Sequence, residues 1–155
     1  MATINATEVQ KLRADTGAGV MDCKRALEET KGDFAKAAAL IKERGQAKAA
    51  KKSDREAKEG LVASYVHGGR IGALVELSSE TDFVARNPQF QELAAEIAKQ
   101  VAAMAPETIA DLLKQSYIRD TSKTIGDLVT SVGATTGENI SVRRMVRFQL
   151  GEALS

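Results

Sequence analysis

Phe90, Leu93, Ala94, Ile97, Val101 and Met104 follow one another in steps of three and four, the repeat that lays apolar side chains along one face of a helix. Such a stripe must be covered by a sheet or by other helices. The flanking chain offers a sheet. Leu61–Val66 and Ile71–Leu77 are rich in aliphatic residues and enclose His67-Gly68-Gly69-Arg70, which reads as a hairpin with a four-residue loop. Gly72 marks a close backbone approach or a bulge. Ile140, Val142, Val146, Phe148 and Leu150 alternate with polar residues, interrupted by Arg144 in the same phase, as in a long third strand. The expected class is α+β, with a three-stranded antiparallel sheet packed with helices on one face. Pro106 ends the long helix, Ile109, Leu112 and Leu113 indicate a short one, and Thr124 caps another. That last helix turns Ile125, Leu128, Val129 and Val132 inward until Gly133 and Gly137 end it.

The first part of the chain has a different pattern. Asn5 and Glu8 have the spacing of a capping box, ahead of Val9 and Leu12 on one helical face. Thr16-Gly17-Ala18-Gly19 ends that helix. A second, from about Val20 to Thr30, aligns Val20, Cys23 and Leu27. After Lys31-Gly32-Asp33 a third aligns Phe34, Ala37, Ala38 and Ile41 and stops at Gly45. Residues 46–59 are Ala-rich and charged, with no apolar side chain larger than alanine, as in a solvated helical linker. The expected organisation is a three-helix domain over 1–45, a charged helical linker over 46–59 and an α+β domain over 60–155.

Catalytic chemistry is poorly supplied. His67 is the one histidine and lies in a Gly-rich turn; Cys23, the one cysteine, lies on an apolar helix face and reads as a small core residue. A single cysteine rules out an intrachain disulfide and any multi-cysteine zinc site, and suits a reducing compartment. Neither Gly17-Ala18-Gly19 nor Gly68-Gly69 completes a phosphate-binding fingerprint, so direct nucleotide binding is not expected, nor is a metal or cofactor. A net charge of +1 argues against a dominant long-range field for nucleic acid or anionic lipid. With 4% aromatic residues and no Trp, stacking on single-stranded bases is poorly supported. The sequence has neither an N-terminal apolar leader nor a run near 18 apolar residues, so a cytoplasmic protein without a membrane span is expected. Function is therefore sought on surfaces rather than in an enzyme active site.

One surface stands out. In Ser79-Glu80-Thr81-Asp82-Phe83-Val84 a strand-like run meets a helix start, where Thr81 or Asp82 is the expected cap. Phe83 either tucks under its own helix or points outward at a partner. A second surface is basic: Lys48, Lys51, Lys52, Arg55 and Lys58, with Arg143, Arg144 and Arg147, motivate an alternative as an RNA- or ribosome-binding module. Asp54, Glu56 and Glu59, interspersed in that run, favour a solvated helix face instead.

Three stretches resemble one family in order. Leu12-Arg13-Ala14-Asp15-Thr16-Gly17-Ala18-Gly19-Val20-Met21-Asp22-Cys23-Lys24-Arg25-Ala26-Leu27 is similar to the N-terminal signature of bacterial elongation factor Ts. Glu80-Thr81-Asp82-Phe83-Val84-Ala85-Arg86-Asn87 resembles its second signature, and Gly137-Glu138-Asn139-Ile140-Ser141-Val142-Arg143-Arg144 its late strand. The resemblance implies a guanine-nucleotide exchange factor that binds elongation factor Tu in its GDP form, dislodges magnesium and lets GTP replace GDP. It implies a ubiquitin-associated-like N-terminal domain that docks on the partner, with Leu12, Arg13, Val20, Met21 and His67 as docking contacts. Thr81, Asp82, Phe83 and Val84 would dislodge the magnesium ion, with the ring intruding beside the nucleotide site. Short family members have a single core and pair as homodimers, which implies a twofold dimer through the sheet-bearing domain. Most of them also carry a helical insertion where this chain joins Pro106 to Tyr117 through ten residues.

Overall fold

The computed structural model describes residues 4–154; residues 1–3 and 155, which the expected domain limits include, lie outside the described residues. Along the chain the elements are α1 (Ala6–Thr16), α2 (Val20–Glu29), α3 (Phe34–Lys52), β1 (Glu59–His67), β2 (Ile71–Ser79), α4 (Asp82–Ala85), α5 (Pro88–Met104), α6 (Ile109–Lys114), β3 (Ser116–Tyr117), β4 (Asp120–Thr124), α7 (Ile125–Thr136) and β5 (Ser141–Gln149). They divide into two compact units, one reaching Asp54 and including Thr130–Gly137, the other comprising Arg55–Val129 and the chain from Glu138.

In the first unit, Val9, Leu12, Cys23, Ala26, Leu27 and Ala37 form a buried core shared by α1, α2 and α3. Asn5 and Glu8 close the expected capping box, with Oδ1 of Asn5 accepting from the Glu8 N–H at 2.8 Å. Asp33 caps α3 by accepting from the Lys36 N–H at 3.0 Å. Gly45 does not stop α3. The Gln46–Lys52 stretch consists of Gln, Lys and Ala, all strong helix formers, and carries the helix past one glycine; residues 53–58 are then turn and coil. Val20, expected beside Cys23 and Leu27, is 48% exposed in the first turn of α2.

In the second unit, β2 is the central strand of the antiparallel sheet β1-β2-β5. Ala73, Val75 and Leu77 of β2 are buried on the face covered by α5, whose Phe90, Leu93, Ala94, Ile97 and Val101 are buried in turn. Met104, at the end of the stripe, is exposed, because α5 closes there with Ala105 in a left-handed conformation just before Pro106. The hairpin turns at Gly68 (φ 56) and Gly69 (φ 68), conformations that favour glycine. Gly72 lies in an unbroken ladder between Val66 and Phe148. The close approach is at Gly60 instead, where φ is 139 and an added Cβ would sit 2.1 Å from the Leu77 carbonyl oxygen.

β5 departs from the expected alternation. Its register against β2 jumps from Arg144 opposite Glu76 to Val142 opposite Leu77, leaving Arg143 as an extra residue. This bulge inverts the phase of the strand. Ile140 and Val142 face the core, whereas Val146 and Phe148 share the opposite face with Leu74 and Arg144. That second face is apolar and open, with Val62, Val66, Leu74, Val146 and Phe148 all exposed.

Between Pro106 and α7 the chain forms α6 and the small β3–β4 sheet, which hydrophobic periodicity does not reveal because both strands are short and polar. Side chains on α5 hold it in place. Buried Gln100 donates to the Ser116 carbonyl at 3.1 Å and accepts from the Ile118 N–H at 3.0 Å. The Glu96 carboxylate receives the Tyr117 hydroxyl at 2.7 Å, Lys99 at 2.9 Å and Arg119 at 3.1 Å. Burial alone would raise the Glu96 carboxyl, but those three donors outweigh it and hold the group below its usual range. Tyr117 is pushed up to about 12, by burial and by its bond to Glu96.

Candidate functional site

The corner between β2 and α5 gives each of four consecutive residues a different task. Thr81 is the N-cap of α4: its backbone is extended (φ −123, ψ 153) and its Oγ1 accepts from the Val84 N–H at 3.3 Å. Asp82, in the first turn, pairs with Arg86 at 2.9 Å. Val84 is turned inward and buried. Phe83 is turned outward with 82% of its surface exposed, whereas Phe90, seven residues on, is fully buried. The core explanation for Phe83 therefore fails in this chain. Pro88 at the start of α5, with Asn87 as its cap, ends the corner with a preset helical turn.

The corner is held from outside its own segment. Glu138 Oε1 accepts the backbone N–H groups of Glu80 at 3.1 Å and Thr81 at 3.0 Å, and its Oε2 accepts the Thr81 hydroxyl at 2.7 Å. In return Glu80 accepts the Asn139 N–H at 2.7 Å and lies 3.5 Å from Arg55. Fully buried Ser79 donates its hydroxyl to the Thr81 carbonyl at 2.8 Å. Sequence reasoning gave Glu138 no part in the site. A contact spanning 57 residues leaves no local pattern.

Of the expected docking residues, Arg13 in the last turn of α1 and Val20 and Met21 in the first turn of α2 flank one short connection and are exposed. Leu12 is fully enclosed in the three-helix core, so it offers no surface to a partner. His67, at the hairpin tip, is exposed and its Nδ1 lies 2.9 Å from the Tyr65 hydroxyl. Cys23 is buried, and burial pushes its thiol up, away from nucleophilic use. Several basic side chains lie beside carboxylates: Lys48 by Asp22, Lys58 by Glu56, and Arg144 by Glu76. Among the described residues there is no group of three or more His, Cys, Asp or Glu arranged to hold a metal ion, and no helix long and apolar enough to cross a membrane.

The family model described as elongation factor TS matches residues 80–155. An elongation factor Ts of Coprothermobacter proteolyticus is 44% identical, with 96% of this chain and 99% of that protein covered. The corresponding protein of Oleidesulfovibrio alaskensis is 44% identical over 97% of this chain and all of its own length, and that of Myxococcus xanthus 39% over 99% and 92%. The first of these alignments runs over 195 positions while using 96% of a 155-residue chain, so a sizeable stretch of that relative has no counterpart here.

Proposed function

The chain belongs to the elongation factor Ts family, and from that premise we propose that it is a guanine-nucleotide exchange factor for elongation factor Tu, acting by binding alone in the cytoplasm. GDP and magnesium hold the partner's phosphate loop in one arrangement. A protein that binds the emptied arrangement more tightly weakens the nucleotide by the same factor, because the two bindings are linked. No covalent step is needed, and no cofactor, metal or nucleotide site on this chain.

The observation that carries the reading is Phe83: a large apolar ring, 82% exposed, at the tip of a corner whose neighbours are capped, paired or buried. An exposed ring on a rigid mount suits insertion between elements of a partner. In this reading Phe83 enters beside the nucleotide site and displaces the magnesium ion's surroundings. Thr81 and Val84 fix the ring's direction, and Asp82 exchanges its bond to Arg86 for partner donors. The three-helix unit acts as a ubiquitin-associated-like docking domain through Arg13, Val20 and Met21. Leu12 supports that surface from the core beneath, and His67 contributes from the hairpin tip. The open apolar face formed by Val62, Val66, Leu74, Val146 and Phe148 supports a homodimer through the sheet.

Release of a fluorescent GDP from elongation factor Tu tests the proposal. Catalytic amounts of the chain should accelerate release manyfold; a rate equal to the spontaneous one would refute it.

A further inference from the structure

We propose that Glu138 is the positioning residue of the exchange corner, acting through Thr81 to set the direction of Phe83; this rests on the wedge reading of Phe83. One carboxylate meets three donors at the point where β2 gives way to α4: the Glu80 and Thr81 amides and the Thr81 hydroxyl. Because that hydroxyl spends its proton on Glu138, its lone pairs are left to accept the Val84 N–H, so the same bond that anchors Thr81 also orients the cap. Asp82 and Phe83 are the two residues between the capping oxygen and the capped amide, and Phe83 directly precedes that amide. Rotation of Thr81 would swing the ring, and the Glu138 carboxylate opposes that rotation at two backbone positions and one side chain. The reciprocal bond from the Asn139 N–H to Glu80 makes the connection two-way, and the Asn139 side-chain amide donates to the Arg55 carbonyl at 2.8 Å. Glu138 itself is half-buried and need not reach a partner.

The test has two arms. In the free protein, amide hydrogen exchange followed by NMR should show the Glu80, Thr81 and Val84 amides exchanging about tenfold faster in Glu138→Ala than in the unmodified chain, with α5 unchanged. In stimulated GDP release from elongation factor Tu, Glu138→Ala should lower the maximal rate about tenfold while leaving the half-saturating concentration in place. Glu138→Gln, which keeps an acceptor and the side-chain volume, should fall between. In a Phe83→Ala background the same substitution should change the rate less than twofold, since there is no ring left to direct. Unaltered amide exchange, or a full tenfold loss in the Phe83→Ala background, would overturn the proposal. If Phe83→Ala by itself leaves release unchanged, the wedge reading fails and the positioning role with it, while the amide arm still reports whether Glu138 holds the corner. Should Glu138→Ala melt below the assay temperature, Glu138→Gln is read by the same two criteria.

Discussion

Replacing Phe83 with alanine separates what the ring does for the fold from what it does to a partner. Burying a phenylalanine side chain fully is worth about 3 kcal/mol at most. Phe83 keeps 82% of its surface in solvent, so roughly a fifth of that value, about 0.5 kcal/mol, is at stake in folding. The expected fall in melting temperature is about 1–2 °C for a chain of this size. The other four fifths, about 2.5 kcal/mol, becomes available only when a partner covers the ring, and corresponds to about a sixtyfold change in affinity for the emptied partner. Thermal denaturation by circular dichroism and stopped-flow release of a fluorescent GDP from elongation factor Tu, run on the same preparation, measure the two parts. The expected result is a nearly unchanged melting curve and a stimulated rate lower by about sixtyfold at subsaturating concentration. A loss of stability well above 1 kcal/mol would mean the ring is structural. An unchanged melt with undiminished release would mean the ring is not the wedge.

Other outcomes follow from the same geometry. Arg13→Ala combined with Met21→Ala should weaken association with elongation factor Tu about tenfold while leaving the melt unchanged, because both side chains are exposed and outside the three-helix core; calorimetric titration checks it. Phe148→Asp on the open sheet face should convert a dimer to a monomer in sedimentation velocity without unfolding the chain, and an unchanged sedimentation coefficient would remove that face from the dimer. The Glu96 carboxyl is held below its ordinary value of 4.5, so it contributes stability that is present above that value and lost as pH falls through the lower folded value. Glu96→Gln should therefore flatten the acid limb of a stability-pH profile below about pH 4.5, and parallel profiles would contradict the assignment.

How much of this could be read from sequence depended on whether the determining contact was local. The apolar stripe from Phe90 to Val101, the Asn5–Glu8 capping box and the hairpin around Gly68-Gly69 are set by residues a few positions apart, and each was legible; the cap at the corner was legible only as Thr81 or Asp82, and the structure gives it to Thr81. The phase of β5 was not legible. Val142, Val146 and Phe148 share one phase on paper, interrupted by Arg144, and only pairing with β2 reveals that the extra Arg143 sends Val142 to one face and Val146 and Phe148 to the other. Gly45 misled for a related reason: a glycine costs a helix about 1 kcal/mol, which seven following helix formers offset. The family signature pointed to Leu12 as a contact, but its place on the α1 apolar face puts it in the core. Glu138 remained invisible as a site residue because its partners lie far away in sequence, and the β3–β4 hairpin because it is tied down by Glu96 and Gln100 rather than by its own apolar residues.

The central claim is that this chain prefers the emptied partner to the loaded one. Calorimetric titration of the intact chain into nucleotide-free and into GDP-magnesium-loaded elongation factor Tu measures that preference directly. The account predicts at least about a hundredfold tighter binding to the nucleotide-free form, matched by an equal weakening of GDP in the complex. Equal affinities for the two forms would contradict it.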